Sequence, residues 1–386
     1  MVSRGARLFP YFAKISCLIF AWLNDIIIAM MTRRDFACSL AALAASPAFA
    51  EEDSPQLAHT KKWFKEAQFG MMAHWGLYTL PGGEWNGKPG RRAYAEWLQW
   101  GERIPMKEYA ALAKAFNPVL FDPKDWMKRA RDAGMKYFVF TSKHHDGFAM
   151  YRSKASAYNV VDATPFGRDV VGEIAEACRE TGVKLGLYYS QDLDWSDPDG
   201  GGRKNEAGLR NWGDEDWRNT WDWPADRDYD FSRYFERKCK PQVKEILTQY
   251  GDLCLIWFDV PSTILPAQCQ ELKDMVRAYQ PGCLINGRLG YGLGDYETPG
   301  DNCIADKTDT GRLYETVGTM NDSWGYRPTD THYKSVDEIL SIKAKCASIG
   351  SNYMLNIGPD PLGRIPAAGI SILDGLAAAA TSKTGA

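Results

Sequence analysis

Tyr137-Phe138-Val139-Phe140-Thr141-Ser142-Lys143-His144-His145-Asp146-Gly147-Phe148 is the stretch that decides the fold. Its first half, Tyr137 to Phe140, is aromatic and β-branched and reads as a buried strand. The run stops abruptly in Lys143-His144-His145-Asp146-Gly147. The chain has five histidines, and two of them stand side by side here. Polar groups that directly follow a buried strand belong at the mouth of a barrel or the rim of a parallel sheet, where α/β proteins keep their ligand sites.

Working outward, short apolar runs alternate with amphipathic ones. Strands are expected at Phe69–His74, Tyr137–Thr141, Lys184–Tyr189, Leu253–Asp259, Cys283–Asn286 and Asn352–Ile357. Helices are expected at Asp122–Ala133, which Pro123 can open, and at Asp169–Thr181, Phe231–Tyr250, Gln268–Tyr279 and Ser335–Ser348. Strand and helix in alternation imply a parallel sheet. The spacing suits a (β/α)8-like, TIM-type barrel with irregular units. A doubly wound sheet is the second reading, but no glycine-rich nucleotide loop follows the first strand. Residues 190–230 form a long insertion rich in Trp, Asp and Gly, including Trp195, Trp212, Trp217, Trp221 and Trp223. Such a length is functional or disordered, and its aromatics argue against disorder.

The composition is that of a globular protein, 45% hydrophobic and 25% charged over 386 residues. A formal net charge of −3 gives no reason to expect nucleic acid or an anionic membrane as partner. Fourteen Trp and nineteen Tyr exceed the needs of a core, and carbohydrate clefts use such faces. Met31-Thr32-Arg33-Arg34-Asp35-Phe36, the apolar run from Ala37 to Ala45, and Ala48-Phe49-Ala50 read as a bacterial twin-arginine export signal cut after Ala50. The expected location is periplasmic or secreted, with residues 1–30 an upstream extension. The alternative, an anchor over Ile15–Met30, is short for a transmembrane helix and is interrupted by Asn24 and Asp25. One catalytic barrel domain is expected over residues 51–386. Of nine cysteines, Cys17 and Cys38 precede Ala50. The other seven are scattered and signal neither a zinc site nor a disulfide framework.

Each expected strand end carries polar or aromatic groups. The first gives His74, with Glu96-Trp97 in the next loop, and the second gives His144 and His145. Tyr188 and Asp194-Trp195 follow the third, Trp257-Phe258-Asp259 the fourth and Arg288 the fifth. Asp295-Tyr296-Glu297, Tyr314-Glu315 and Trp324-Gly325-Tyr326 come later. In one barrel these converge on a single face. Taken alone, a histidine at a strand end is more often a structural hydrogen-bonder, and an aspartate there is commonly a helix N-cap. Asp259, however, ends an apolar run and precedes Val260-Pro261, so its charge needs partners. Arg288 can supply one. Neighbouring strand residues point to opposite faces. His144 and His145 are therefore expected to face different surroundings, which disfavours joint metal chelation.

At this point the sequence resembles the α-L-fucosidases of glycoside hydrolase family 29. The matching segments are Phe69–Tyr78, Lys143–Phe148, Tyr158-Asn159 with Arg168-Asp169, Leu185–Ser190 with Asp194-Trp195, Trp257–Asp259, Asn286–Leu289, Tyr314-Glu315 to Tyr326, and Asn352–Pro359. They run in family order over roughly residues 60–370. The resemblance implies hydrolysis of terminal α-linked L-fucose with retention, without metal or cofactor, on a fucosylated oligosaccharide or glycoconjugate. It implies Asp259 as nucleophile and His74, Glu96, Trp97, His144, His145, Tyr188, Trp257 and Arg288 around the sugar. The acid/base is not kept at one position in the family. Many members place a Glu where Asp295-Tyr296-Glu297-Thr298-Pro299-Gly300 ends in Gly300. Glu315 is therefore the first expectation, Glu297 the second and Asp301 the third. Val260-Pro261 departs from the glycine usual after the nucleophile. No substantial C-terminal β-sandwich is expected. Two rival readings are a non-catalytic fucose-binding protein of the same fold and a metal-dependent hydrolase using His144 and His145.

Overall fold

The computed structural model describes residues 53–92, 94–204, 215–305 and 311–382. The export signal and Trp212 lie outside them. Helix α1 (Pro55–Ala67) opens on Ser54, whose side chain accepts the Leu57 amide, with proline in its first turn. Eight parallel strands follow: β1 (Phe69–Ala73), β2 (Tyr137–Lys143), β3 (Lys184–Tyr189), β4 (Leu255–Phe258), β5 (Leu284–Ile285), β6 (Tyr296–Glu297), β7 (Leu313–Thr319) and β8 (Ser351–Ile357). They are ordered β5-β4-β3-β2-β1-β8-β7-β6. A parallel bridge between Asn286 and Tyr296 links the two ends of that order, so the sheet closes into a (β/α)8-type barrel. The longer helices of its outer layer are α2 (Pro123–Asp132), α3 (Val170–Thr181), α4 (Lys240–Gln249), α5 (Pro266–Tyr279), α6 (Val336–Ser348) and α7 (Ala367–Ser382).

The period-two alternation of the strands divides the core. Phe138, Phe140, Leu187 and Ile256 belong to the layer under the helices. Met72, Val139, Tyr188, Leu255, Trp257, Val317 and Met354 fill the barrel. Helix α1 closes the lower end, with Phe64 packed on Tyr137 and Tyr296. Large inward rings need small neighbours. A Cβ on Gly70 would lie 2.3 Å from the Tyr137 ring, and one on Gly186 would lie 2.9 Å from Leu255.

All six expected strands are present, with shifts of up to two residues. The sequence reading missed β6, which is only two residues long, and β7, whose Tyr314, Glu315, Thr316 and Gly318 break any apolar run. It also missed α1 and α7. The expected single helix over Phe231–Tyr250 is α-helical at both ends with a π-helical stretch at Phe235–Cys239. Pro241 follows that stretch and has no N–H to donate, which accounts for the break.

Candidate active site

A cavity of about 550 Å³ opens at the C-terminal ends of the strands. His74, Glu96, Trp97, His144, His145, Trp257, Asp259, Arg288 and Asp301 line it, with Tyr94, Trp217, Val260 and Trp324. Asp259 is the first residue beyond β4 and is 7% exposed. One carboxylate oxygen accepts Arg288 Nη1 at 2.9 Å, and the other accepts the Tyr188 hydroxyl at 2.9 Å. The second prong of the same guanidinium, Nη2, donates to Asp301 Oδ1 at 2.5 Å. One fork thus holds two carboxylates. The guanidinium also lies 4.7 Å over the Trp257 ring, and Trp257 in turn stacks on Tyr188.

Hydrogen-bond partners fix the protonation of two imidazoles. Asn356 Nδ2 donates to the Trp324 carbonyl, so its Oδ1 accepts from His74 Nδ1 at 2.7 Å. The Ser190 hydroxyl donates to the Leu193 carbonyl, so its oxygen accepts from His145 Nδ1 at 2.7 Å. Burial lowers the pKa of His74 to about 4 and that of His145 well below the usual histidine value. Both rings are therefore neutral, with Nε2 left as an acceptor. His145 Nε2 lies 3.8 Å from Asp259 Oδ2. Acceptor nitrogens beside a carboxylate suit a ligand rich in hydroxyl donors. Glu96 complements them. Burial pushes its carboxyl up to about 7, and it accepts the Gly325 amide at 3.0 Å. At neutral pH it can accept or donate a proton.

The structure corrects one expectation about the histidine pair. His144 and His145 both line the cavity, with ring centroids 4.1 Å apart. Strand alternation does not separate them because β2 ends at Lys143 and the chain turns immediately. Among the described residues, no group of three or more His, Cys, Asp or Glu side chains is arranged to hold a metal ion.

The first two acid/base expectations, Glu315 and Glu297, lie outside the cavity wall. Glu315 is on β7, beside Asn352 in the register, and is fully buried inside the barrel. It accepts Tyr137 Oη at 2.7 Å and Trp257 Nε1 at 2.9 Å, and the cavity wall does not include it. Glu297 is on β6 and pairs with Arg312, also outside the cavity wall. Tyr188 lies under the wall and reaches the site through Asp259. Asp301, the third expectation, does line the cavity, with Asp259 and Glu96. Its segment is tied to β7 by the Asn302 amide, which donates to the Val317 carbonyl at 2.9 Å. Trp324, one of the later groups expected on this face, also lines the wall, whereas Trp217 carries no strand-end signal in the sequence. Trp324 sits 5.1 Å from the His74 ring, and Trp217 comes from the Trp-rich insertion. The tryptophan content itself was the available signal.

A (β/α)8 barrel whose C-terminal mouth holds an aromatic-walled cleft with two convergent carboxylates has the architecture of a barrel glycosidase. The chain belongs to the alpha-L-fucosidase family, whose model matches residues 37–380. It is 28% identical over 331 residues to mouse tissue alpha-L-fucosidase, covering 78% of this chain and 66% of that protein. It is also 28% identical over 336 residues to a putative alpha-L-fucosidase of Caenorhabditis elegans, covering 79% of this chain and 62% of that one. The match therefore spans just under two thirds of these relatives' length. Among solved structures, unliganded alpha-L-fucosidase AlfC from Lactobacillus casei is 49% identical with a TM-score of 0.79, covering 85% of this chain and all of that one. The alpha-L-fucosidase from Vibrio sp. strain EJY3 is 35% identical with a TM-score of 0.76, covering 85% of this chain and 56% of that one.

Proposed function

We propose that this protein is a retaining exo-α-L-fucosidase that removes terminal α-linked L-fucose from glycans. The observation that carries the reading is the Arg288 fork, which holds Asp259 and Asp301 on its two prongs. A guanidinium spans only a few ångströms, and retaining glycosidases keep their two carboxyl groups about 5–5.5 Å apart. Asp259 attacks the anomeric carbon as the bond to the leaving oxygen breaks, and Asp301 delivers a proton to that oxygen. Water then attacks the fucosyl-enzyme. Asp301 takes its proton, and fucose leaves with Asp259 restored. His74, His145 and Glu96 receive sugar hydroxyls, while Trp97, Trp257 and Trp324 cover apolar faces.

Asp259→Ala should abolish turnover of an aryl α-L-fucoside while fucose still binds. Asp301→Asn should slow an oligosaccharide substrate by about 10²- to 10⁴-fold, the usual contribution of a general acid. An activated aryl fucoside should suffer less, and azide should restore rate to the Asn variant. NMR of the first-formed fucose anomer reads retention. Full activity of Asp301→Asn on the oligosaccharide would remove Asp301 from this role. A fucose-binding protein without catalysis is the second reading, favoured by the absence of both Glu315 and Glu297 from the cleft. The wild-type aryl-fucoside assay decides between the two.

A Lactobacillus casei relative, AlfC, has been solved in complex with alpha-L-fucose product, and an AlfC variant with Fuca(1,6)GlcNAc. An α1,6-linked fucosyl-N-acetylglucosamine is therefore the first oligosaccharide to test here. The twin-arginine segment supports export to the periplasm. Activity that stays in the cytoplasm of cells lacking the twin-arginine pathway, and moves to the periplasm where it is present, would establish that route. No described helix is long and apolar enough to cross a membrane.

A further inference from the structure

Three consecutive residues beyond β3 each grip a different part of the cleft. Ser190 holds His145, as described above. Gln191 is fully buried and makes two bonds. Its Oε1 accepts the backbone amide of Asp259 at 2.8 Å, and its Nε2 donates to the Arg288 carbonyl at 3.1 Å. Asp192 is also fully buried. Its Oδ2 accepts the amides of Ser262, Thr263 and Ile264 at 2.9, 2.8 and 2.8 Å. Those three amides belong to the loop that leaves Asp259.

That loop needs holding. Val260, the residue after Asp259, has φ +47°. A β-branched side chain at positive φ is a genuine outlier, stable only where its surroundings over-determine it. Here Val260 packs on the Leu193, Trp195 and Trp217 cluster, and the Asp192 carboxylate holds the amides two to four residues further along the loop. Released from Asp192, the turn would relax toward negative φ and carry the Asp259 carboxylate away from Arg288 and Tyr188.

We propose that Gln191 and Asp192 are positioning residues for the nucleophile, holding a strained turn at Val260 so that Asp259 stays in line with the sugar. This rests on the fucosidase reading, with Asp259 as nucleophile. Neither residue lines the cavity.

The test uses the full chain and an aryl α-L-fucoside, with kcat normalised to folded protein. Misplacing a reacting group by about 1 Å costs roughly 100-fold in rate. Asp192→Asn and Gln191→Leu should therefore lower kcat by about 10- to 100-fold, with KM changed by less than about threefold. Glycine adopts positive φ without penalty. The double variant Asp192→Asn/Val260→Gly should then recover to within about threefold of Val260→Gly alone. A merely structural role would lower thermal stability, leave kcat per folded molecule unchanged and give no such rescue. Either unchanged kcat in Asp192→Asn or a double variant no faster than it would overturn the proposal. If wild type cleaves no fucoside, the reaction assignment fails instead. Amide exchange at Ser262, Thr263 and Ile264 then decides the clamp. Faster exchange in Asp192→Asn, reversed by Val260→Gly, supports it, and unchanged exchange refutes it.

Discussion

Replacing Glu315 by glutamine separates a buried strut from a catalytic acid. The carboxyl is fully buried, and burial raises its pKa to about 7. In the unfolded chain a glutamate titrates near 4.3. The folded state therefore prefers the protonated form. The stabilisation is fully present below about pH 4.3 and is lost as pH rises through about 7. A tenfold change in proton affinity is worth about 1.4 kcal/mol, so the full change is roughly 3–4 kcal/mol, of which roughly 2–3 falls between pH 5 and 8. Glutamine cannot ionise and keeps an oxygen for Trp257 Nε1, while the Tyr137 hydroxyl can accept its N–H. The melting temperature of the Gln variant minus that of wild type should therefore rise by about 3–5 °C from pH 5 to pH 8, at roughly 1–2 °C per kcal/mol for a folded unit of this length. Taking the difference cancels every other titrating group. Hydrolysis should stay within about tenfold of wild type, against the roughly 10²- to 10⁴-fold loss expected of a missing general acid. Parallel melting curves would refute the buried-proton argument. Collapse of activity with azide rescue would return Glu315 to the catalytic role.

Three further outcomes follow from the same geometry. Asp194 lies fully buried between Lys143 at 2.9 Å and Lys238 at 2.8 Å, so Asp194→Asn should strand two ammonium groups and cost about 3–5 kcal/mol in denaturant unfolding. A loss below about 1 kcal/mol would mean that water reaches the pair. Gly70→Ala should cost about 1–3 kcal/mol by forcing the Tyr137 ring aside, and an unchanged midpoint would show that the barrel floor adapts. Prolonged chelation should leave aryl-fucoside turnover unchanged, whereas loss restored by a divalent cation would favour the metal-hydrolase alternative.

Much of the fold was legible because burial on both faces makes parallel strands read as apolar runs. Tyr137–Phe140 and Leu253–Phe258 announce themselves in that way. Strand β7 does not, because it carries a carboxylate into the barrel and a threonine on each of its faces. Each finds a partner, as Glu315 does in Tyr137 and Trp257. Periodicity cannot register a polar residue whose satisfaction comes from distant strands. The histidine pair departs from its expectation for the opposite reason. Alternation does not govern residues already beyond their strand, where a turn brings both rings to one cleft.

The two glutamates ranked above Asp301 show what a strand-end argument lacks, which is depth. Asp259 is one residue past β4 and so stands at the mouth. Glu315 is the third residue of a seven-residue strand, with Thr316 to Thr319 still to run before the mouth. At about 3.3 Å per residue, four residues place it roughly 13 Å lower along the strand, beneath the cleft. The apolar Val317 and the small Gly318 after it carried that information, since a strand that continues inward-and-outward past a carboxylate buries it. Asp301 had no such marker. It follows Gly300 in an irregular segment, and only the Arg288 fork, reached from another strand end, assigns it a partner. A carboxylate that reaches the cleft of a barrel is therefore better sought beyond the last residue of its strand than inside it.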